Sequence, residues 1–202
     1  MRITGGIFRS RTLLAPRGQA TRPTSDRVRE ALFGILTSAG VVAHARVLDL
    51  YAGTGALGLE ALSRGAARVT LVESAAGAIA AIRQNISALG VEKCARLIAG
   101  DVARAERRLA RDGPFDLVVA DPPWSLVESG DAPRTLAEVL GTRLMTSEAW
   151  LVLEHSARIA APGIGRLVRF ETRHYGDAAL TFYKPAILGP PRTDVRAGPP
   201  SD

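Results

Sequence analysis

After Gly40 the chain alternates between two hydrophobic periods. Continuous apolar runs near 46–51, 68–73, 95–99 and 115–120 predict buried strands, and amphipathic stretches near 56–64, 75–89, 101–111 and 133–145 predict helices. Strands that alternate with helices imply a parallel sheet with right-handed crossovers and helices on both faces. Three further strands are expected near 149–154, 166–173 and 179–184. The last two leave no room for a helix, and Tyr175-Gly176-Asp177 reads as a hairpin turn, so the sheet should end antiparallel. Upstream, Val28, Ala31, Leu32, Ile35 and Leu36 form one helical face after a start signal at Pro23-Thr24-Ser25. Arg27, Arg29 and Glu30 fall off that stripe, and the helix is expected to pack on the body and tether the arm. Residues 1–20 look extended, with turns at Gly5-Gly6 and Pro16-Arg17-Gly18 that suggest a short hairpin.

The expected organisation is a basic arm and helix over 1–40 packed on a main α/β domain over 41–188. A proline-rich tail over 189–202 is expected to be disordered. At 202 residues and 47% hydrophobic, the chain has enough apolar material for one core. Residues 1–30 carry seven arginines against Asp26 and Glu30, so nearly all of the net charge of +6 sits at one end. A basic end on a nearly neutral body suits contact with a phosphate backbone. Arg2, Arg9, Arg11, Arg22 and Arg27 are the candidate nucleic-acid contacts. The lone Cys94 excludes an internal disulfide, and three scattered histidines give no metal-ligand spacing, so no metal is expected. With no leader-like start and no apolar run of membrane-spanning length, the expected setting is the cytoplasm and the expected state a monomer.

Two segments carry the candidate chemistry. In Asp49-Leu50-Tyr51-Ala52-Gly53-Thr54-Gly55-Ala56-Leu57-Gly58, an apolar strand breaks into a glycine turn, and Glu73 follows at the end of the next strand. Gly53, Gly55 and Gly58 also fit a dinucleotide fingerprint, so an NAD-dependent oxidoreductase is a rival reading. Asp49 separates the two. A carboxylate beside the turn gains nothing against a pyrophosphate but favours the ammonium and sulfonium of S-adenosylmethionine (SAM). Glu73 would accept from the ribose hydroxyls, and Asp101 would meet the adenine amino group or act only as a helix cap. Tyr51 and Thr54 join the cofactor set through the loop, and Thr24 from the helix start. These acids all end strands, where open α/β sheets bind ligands.

Asp121-Pro122-Pro123-Trp124 follows the strand at 115–120. A base amino group is a poor nucleophile because its lone pair is delocalised. The Asp121 carboxylate and Pro122 carbonyl can orient its two N–H bonds, Pro123 stiffens the loop, and Trp124 can stack on the ring. Catalysis is then chiefly positioning, with Asp121 as acceptor of the released proton. A base in structured nucleic acid must first be unstacked.

Arg22-Pro23-Thr24-Ser25-Asp26-Arg27-Val28-Arg29-Glu30, the Asp49–Gly58 run, the Asp-Pro-Pro element, Tyr175-Gly176-Asp177 and the opening Arg2-Ile3-Thr4-Gly5-Gly6 resemble the RsmD family over roughly residues 1–185. That resemblance implies a class I SAM-dependent methyltransferase fold. It also implies transfer to guanine N2 in 16S rRNA, with the assembling small ribosomal subunit as substrate. Trp124 stands where phenylalanine or tyrosine is expected, which preserves stacking but changes pocket size. Rival readings are a DNA amino-group methyltransferase, for which no target-recognition domain is visible, a protein-glutamine methyltransferase, whose loop usually opens with asparagine, and a non-catalytic RNA-binding protein.

Overall fold

The computed structural model describes residues 1–15, 25–141 and 144–186. The expected tail at 189–202, Arg22 and Thr24 lie outside the described residues.

Seven strands form one sheet: β1 (Arg46–Leu50), β2 (Arg68–Glu73), β3 (Ala95–Ala99), β4 (Phe115–Ala120), β5 (Met145–Ser156), β6 (Leu167–Tyr175) and β7 (Ala178–Pro185). Their spatial order is β3-β2-β1-β4-β5-β7-β6. β1 to β5 pair in parallel, and β7 runs antiparallel to both β5 and β6. The parallel strands read as continuous apolar runs because helices cover both of their faces. On one face α1 (Asp26–Ser38), α2 (Ala56–Ser63) and α3 (Ala76–Leu89) bury Phe33, Leu36, Leu59 and Ile82 against Leu71, Val152 and Phe182. On the other, a 3-10 turn (Val102–Arg104), α4 (Glu106–Leu109), α5 (Trp124–Glu128) and α6 (Asp131–Leu140) cover Leu48, Leu50, Leu151 and Tyr183. The chain winds outward from β1 to β3 and then returns to β4. β1 and β4 therefore flank a topological switch point, where the loops leaving them part and open a crevice.

Two local expectations change. The helix expected over 101–111 is a 3-10 turn followed by the four-residue α4. Only Val102, Ala105 and Leu109 reach the core there, too little apolar surface to sustain a longer helix. The helix expected over 133–145 instead spans Asp131–Leu140. It starts after Gly130 and stops at Gly141, both at positive φ, and Met145 already belongs to β5. Arg29, off the apolar stripe in the sequence, is fully buried.

The burial of Arg29 explains how the amino-terminal segment is held. Residues 1–13 close a small hairpin, with an Arg2–Thr12 bridge and bonds from Ile3 N–H to the Arg11 carbonyl and from Leu13 N–H to the Met1 carbonyl, both 3.0 Å. Ile3 and Leu13 are buried in the α1–α3 core. Glu60, buried on the otherwise apolar α2, accepts from Thr4 N–H (2.7 Å), Thr4 Oγ1 (2.7 Å), Gly5 N–H (2.8 Å) and Arg64 Nε (2.8 Å). Arg29 Nε lies 3.4 Å from the same carboxylate, and its other end donates to Asp26 (2.9 Å) and to the Arg2 carbonyl. At Gly6, φ is +77° and a Cβ would fall 1.8 Å from the Ser63 carbonyl oxygen, so only glycine fits this approach.

Candidate active site

The β1 loop is built from strained backbone. Tyr51, Gly53 and Gly55 all have positive φ, and the turn is closed by Gly55 N–H on the Ala52 carbonyl (2.7 Å). Asp49 lies beneath this loop, wholly buried, and its Oδ2 accepts from Gly58 N–H at 2.8 Å. Gly58 must be glycine, since a Cβ would lie 2.7 Å from Val69 Cγ2 and hold α2 off the sheet. Asp49 Oδ1 is buried with no hydrogen-bond partner. Burial, opposed in part by the Gly58 bond and reinforced by Asp121 and Glu73, pushes the Asp49 carboxyl up to about 8.

Glu73 ends β2 and clamps the neighbouring turns. Its Oε2 accepts from Gly53 N–H (2.8 Å), while Oε1 accepts from Ser74 N–H (2.7 Å) and Ala75 N–H (2.8 Å). Gly53 borders open space, with nothing within 4 Å of where a side chain would project. Thr54 gives its carbonyl to Asn85 Nδ2 (3.0 Å), and Asn85 also holds Leu14 of the arm through bonds of 2.7 and 3.1 Å. Asp101 caps the 3-10 turn, accepting from Ala103 N–H at 2.9 Å. Tyr51 sits between Asp101 and Thr135, where burial and the nearby carboxylate push its hydroxyl up to about 12.

Asp121 follows β4 directly. The register Asp49–Val119 and Leu50–Ala120 brings the two loops side by side, and Asp121 N–H donates to the Leu50 carbonyl at 3.3 Å. Pro122 is buried, Pro123 is exposed and caps α5, and Trp124 is the half-exposed first residue of that helix. The cofactor candidates and the aspartate–proline loop therefore meet at one crevice, with Asp121 close enough to raise the Asp49 carboxyl.

The arginines do not form one patch. Arg2 lies 3.7 Å from Asp26 at the start of α1, where Arg27 is also exposed. Arg9 is exposed on the hairpin turn, and Arg11 donates to the Ala88 carbonyl near the end of α3 (2.8 Å). Sequence reasoning did not single out Glu60, Arg29 or Asn85. A lone charge in the apolar run of α2 was the available signal for Glu60. His155 is structural: Nδ1 meets the Ser156 carbonyl (2.9 Å), Nε2 meets Thr181 Oγ1 (2.8 Å), and burial lowers its basicity. Among the described residues there is no group of metal-ligating side chains and no helix long and apolar enough to cross a membrane.

Residues 1–184 match the family described as conserved hypothetical protein 95. The chain belongs to this family. Its match to YlbH of Bacillus subtilis, provisionally named an rRNA methyltransferase, is 32% identical over 186 residues, covering 91% of this chain and 98% of YlbH. Ribosomal RNA small subunit methyltransferase D of Escherichia coli is 43% identical over 129 residues, which cover 61% of this chain and 60% of that protein. The solved structure of the E. coli protein YhhF superposes with a TM-score of 0.74 at 34% identity, covering 92% and 97% of the two chains. The class I methyltransferase fold and the RsmD-family resemblance expected from the sequence are both borne out.

Proposed function

We propose that this protein transfers a methyl group from SAM to the exocyclic N2 of a guanine in 16S rRNA of the small ribosomal subunit. The observation that carries the reading is the meeting, across the β1–β4 switch point, of a glycine loop and Asp121-Pro122-Pro123-Trp124. The residues present fit the cofactor. Asp49 Oδ1 is an unpartnered buried acceptor suited to a cation, and Gly53 borders open space into which the cofactor can pack. Glu73 Oε2, which accepts only from Gly53 N–H, retains a lone pair for the ribose, and Tyr51, Thr54, Gly55 and Asp101 border the same loops. When bound, SAM supplies an electrophilic methyl carbon.

The remaining work falls to the chain. Asp121 and the Pro122 carbonyl accept the two amino N–H bonds of the guanine and fix its nitrogen toward the donor. Trp124 stacks on the base, Pro123 holds the loop rigid, and the Asp121 carboxylate takes the proton that leaves the nitrogen. Arg2 and Arg27 at the start of α1, with Arg9 and Arg11 on the hairpin, contact RNA phosphates; from the sequence, Arg22 is assigned to the RNA contacts and Thr24 to the cofactor. The reading places the protein in the cytoplasm as a monomer. It draws support from the names of its relatives and from the concentration of charge in residues 1–30.

The test is a methyl-transfer assay with tritiated SAM on undermethylated small subunits, naked 16S rRNA and duplex DNA, followed by nucleoside analysis. N2-methylguanosine on the subunit or its RNA is the expected product. Label in DNA, or as methyladenine, would overturn the assignment.

A further inference from the structure

We propose that the protein has a second RNA-contact site, a cationic groove at the amino ends of β1, β2 and β3 that receives phosphodiester backbone. This rests on the RNA-methyltransferase reading above and extends it to the pole opposite the methyl-transfer loops. The groove encloses about 950 Å³. Arg46, Arg68, Lys93, Arg96 and Arg111 line it, against Glu92 and Asp112. One pair is internally satisfied: Arg96 meets Asp112 at 2.6 Å, and Asp112 also accepts from the Thr70 hydroxyl at 3.1 Å. Arg46, Arg68, Lys93 and Arg111 have no ion-pair partner among the described residues. Arg46 and Arg68 are moreover register partners on adjacent parallel strands, an arrangement of like charge that costs stability unless an anion or solvent compensates it.

A second observation extends the groove. The hairpin turn of the arm is anchored at this same pole. Ile7 N–H donates to the Ser63 carbonyl (2.8 Å), Phe8 N–H to Ser63 Oγ (2.9 Å), and Arg11 to the Ala88 carbonyl (2.8 Å). Ser63 ends α2, and Ala88 lies in the last turn of α3. The chain leaving each helix, through Ala67-Arg68 and Glu92-Lys93-Cys94, builds the groove wall. Arg9 and Arg11 thus join the groove in one cationic track. β1 and β4 separate this track from Asp121 by about 20 Å at roughly 3.3 Å per residue. Base recognition and backbone contact then occupy opposite poles, as expected when phosphate contacts set position and base contacts set specificity. The substrate must be a structured RNA large enough to reach both.

Cys94 lines the groove, is exposed, and is the chain's single cysteine, so it reports occupancy without any mutation. The experiment follows maleimide alkylation of the full chain alone, with substrate RNA, and with inorganic pyrophosphate at matched phosphate concentration. RNA is expected to slow the reaction, and pyrophosphate to leave it unchanged. In parallel, the variant Arg68→Ala/Lys93→Ala/Arg111→Ala should raise KM for RNA about tenfold and lower the salt slope of binding by about 2 to 3, as loss of three phosphate contacts requires. Its kcat and SAM affinity should not change. Wild-type protein that binds and methylates RNA while Cys94 stays reactive, with the variant unaffected, would overturn the groove alone. Protection by pyrophosphate without protection by RNA would reassign the groove to a free phosphate ligand and overturn it too. Wild-type protein that neither binds nor methylates RNA would overturn both readings, and that failure shows before any variant is made.

Discussion

Two carboxylates at neighbouring strands are set to opposite tasks by their surroundings. Asp121 borders the crevice, where a carboxylate can orient a nucleophile. Asp121→Ala is expected to lower kcat by at least about 100-fold, the lower range for a positioned proton acceptor, while SAM affinity stays within about twofold. Single-turnover methylation and equilibrium binding check this, and a large loss of SAM affinity would move Asp121 to the cofactor site. Asp49 is sealed under the loop, and its carboxyl lies near 8 against an ordinary 3.8. Between those values the unfolded chain has released the proton that the folded chain keeps. Its contribution to stability is therefore complete below about pH 4 and is lost as pH rises toward about 8. Asp49→Asn should flatten that fall, which denaturant melts of both proteins at pH 5 and pH 8 would show; parallel losses in the two would refute it. A cation docking on Oδ1 must also lower the Asp49 carboxyl. SAM binding near pH 7 should then release up to about one proton, read by calorimetry in buffers of different ionisation enthalpy and absent in Asp49→Asn.

At the scale of elements, the arm, α1 and α2 are joined by a buried ionic hub rather than by apolar contact alone. Glu60→Gln leaves Arg29 buried beside a neutral partner and should destabilise the protein by about 3 kcal/mol, the usual cost of breaking such a pair. A double variant that also carries Arg29→Met should recover part of that loss in denaturant titrations. A cost below about 1 kcal/mol for Glu60→Gln would mean that the arm is held by Ile3 and Leu13 alone. The hub also marks the limit of what the sequence discloses. The strands β1 to β4 were legible because sheets covered on both faces need unbroken apolar runs, and the glycine turn because few residues tolerate its backbone. A site at the strand ends followed from strands alternating with helices, while the neighbouring of β1 and β4 that sets the two loops side by side depends on long-range strand order. Arg29 read as lying off the buried stripe because periodicity registers a charge only as polar, and its partners lie on α2 and in the arm, far along the chain. Leu144 and Met145 continued the apolar spacing of α6, which hid the start of β5. The short α5, directly after two prolines, carried no periodic signal at all.

At the scale of the whole molecule, the proposed RNA contact draws on positive charge concentrated in residues 1–30. Neutralising Arg9 and Arg11 together should lower the salt slope of RNA binding by about 1.5, close to the value for two lost single-strand contacts, without changing SAM affinity. An unchanged slope in filter-binding titrations across salt would remove the hairpin from the RNA interface. Asn85 gives this arrangement a thermodynamic corollary. Its amide holds the Leu14 carbonyl of the arm and the Thr54 carbonyl of the cofactor loop at once. Where two binding surfaces share one joint, coupling between them is the expected outcome. By reciprocity, whatever factor RNA adds to the affinity for SAM, SAM must add to the affinity for RNA. Cutting the joint with Asn85→Ala should shrink both factors by the same amount. The protein would then accept its two ligands with indifference to order, where the intact chain is expected to let the first one prepare the place of the second.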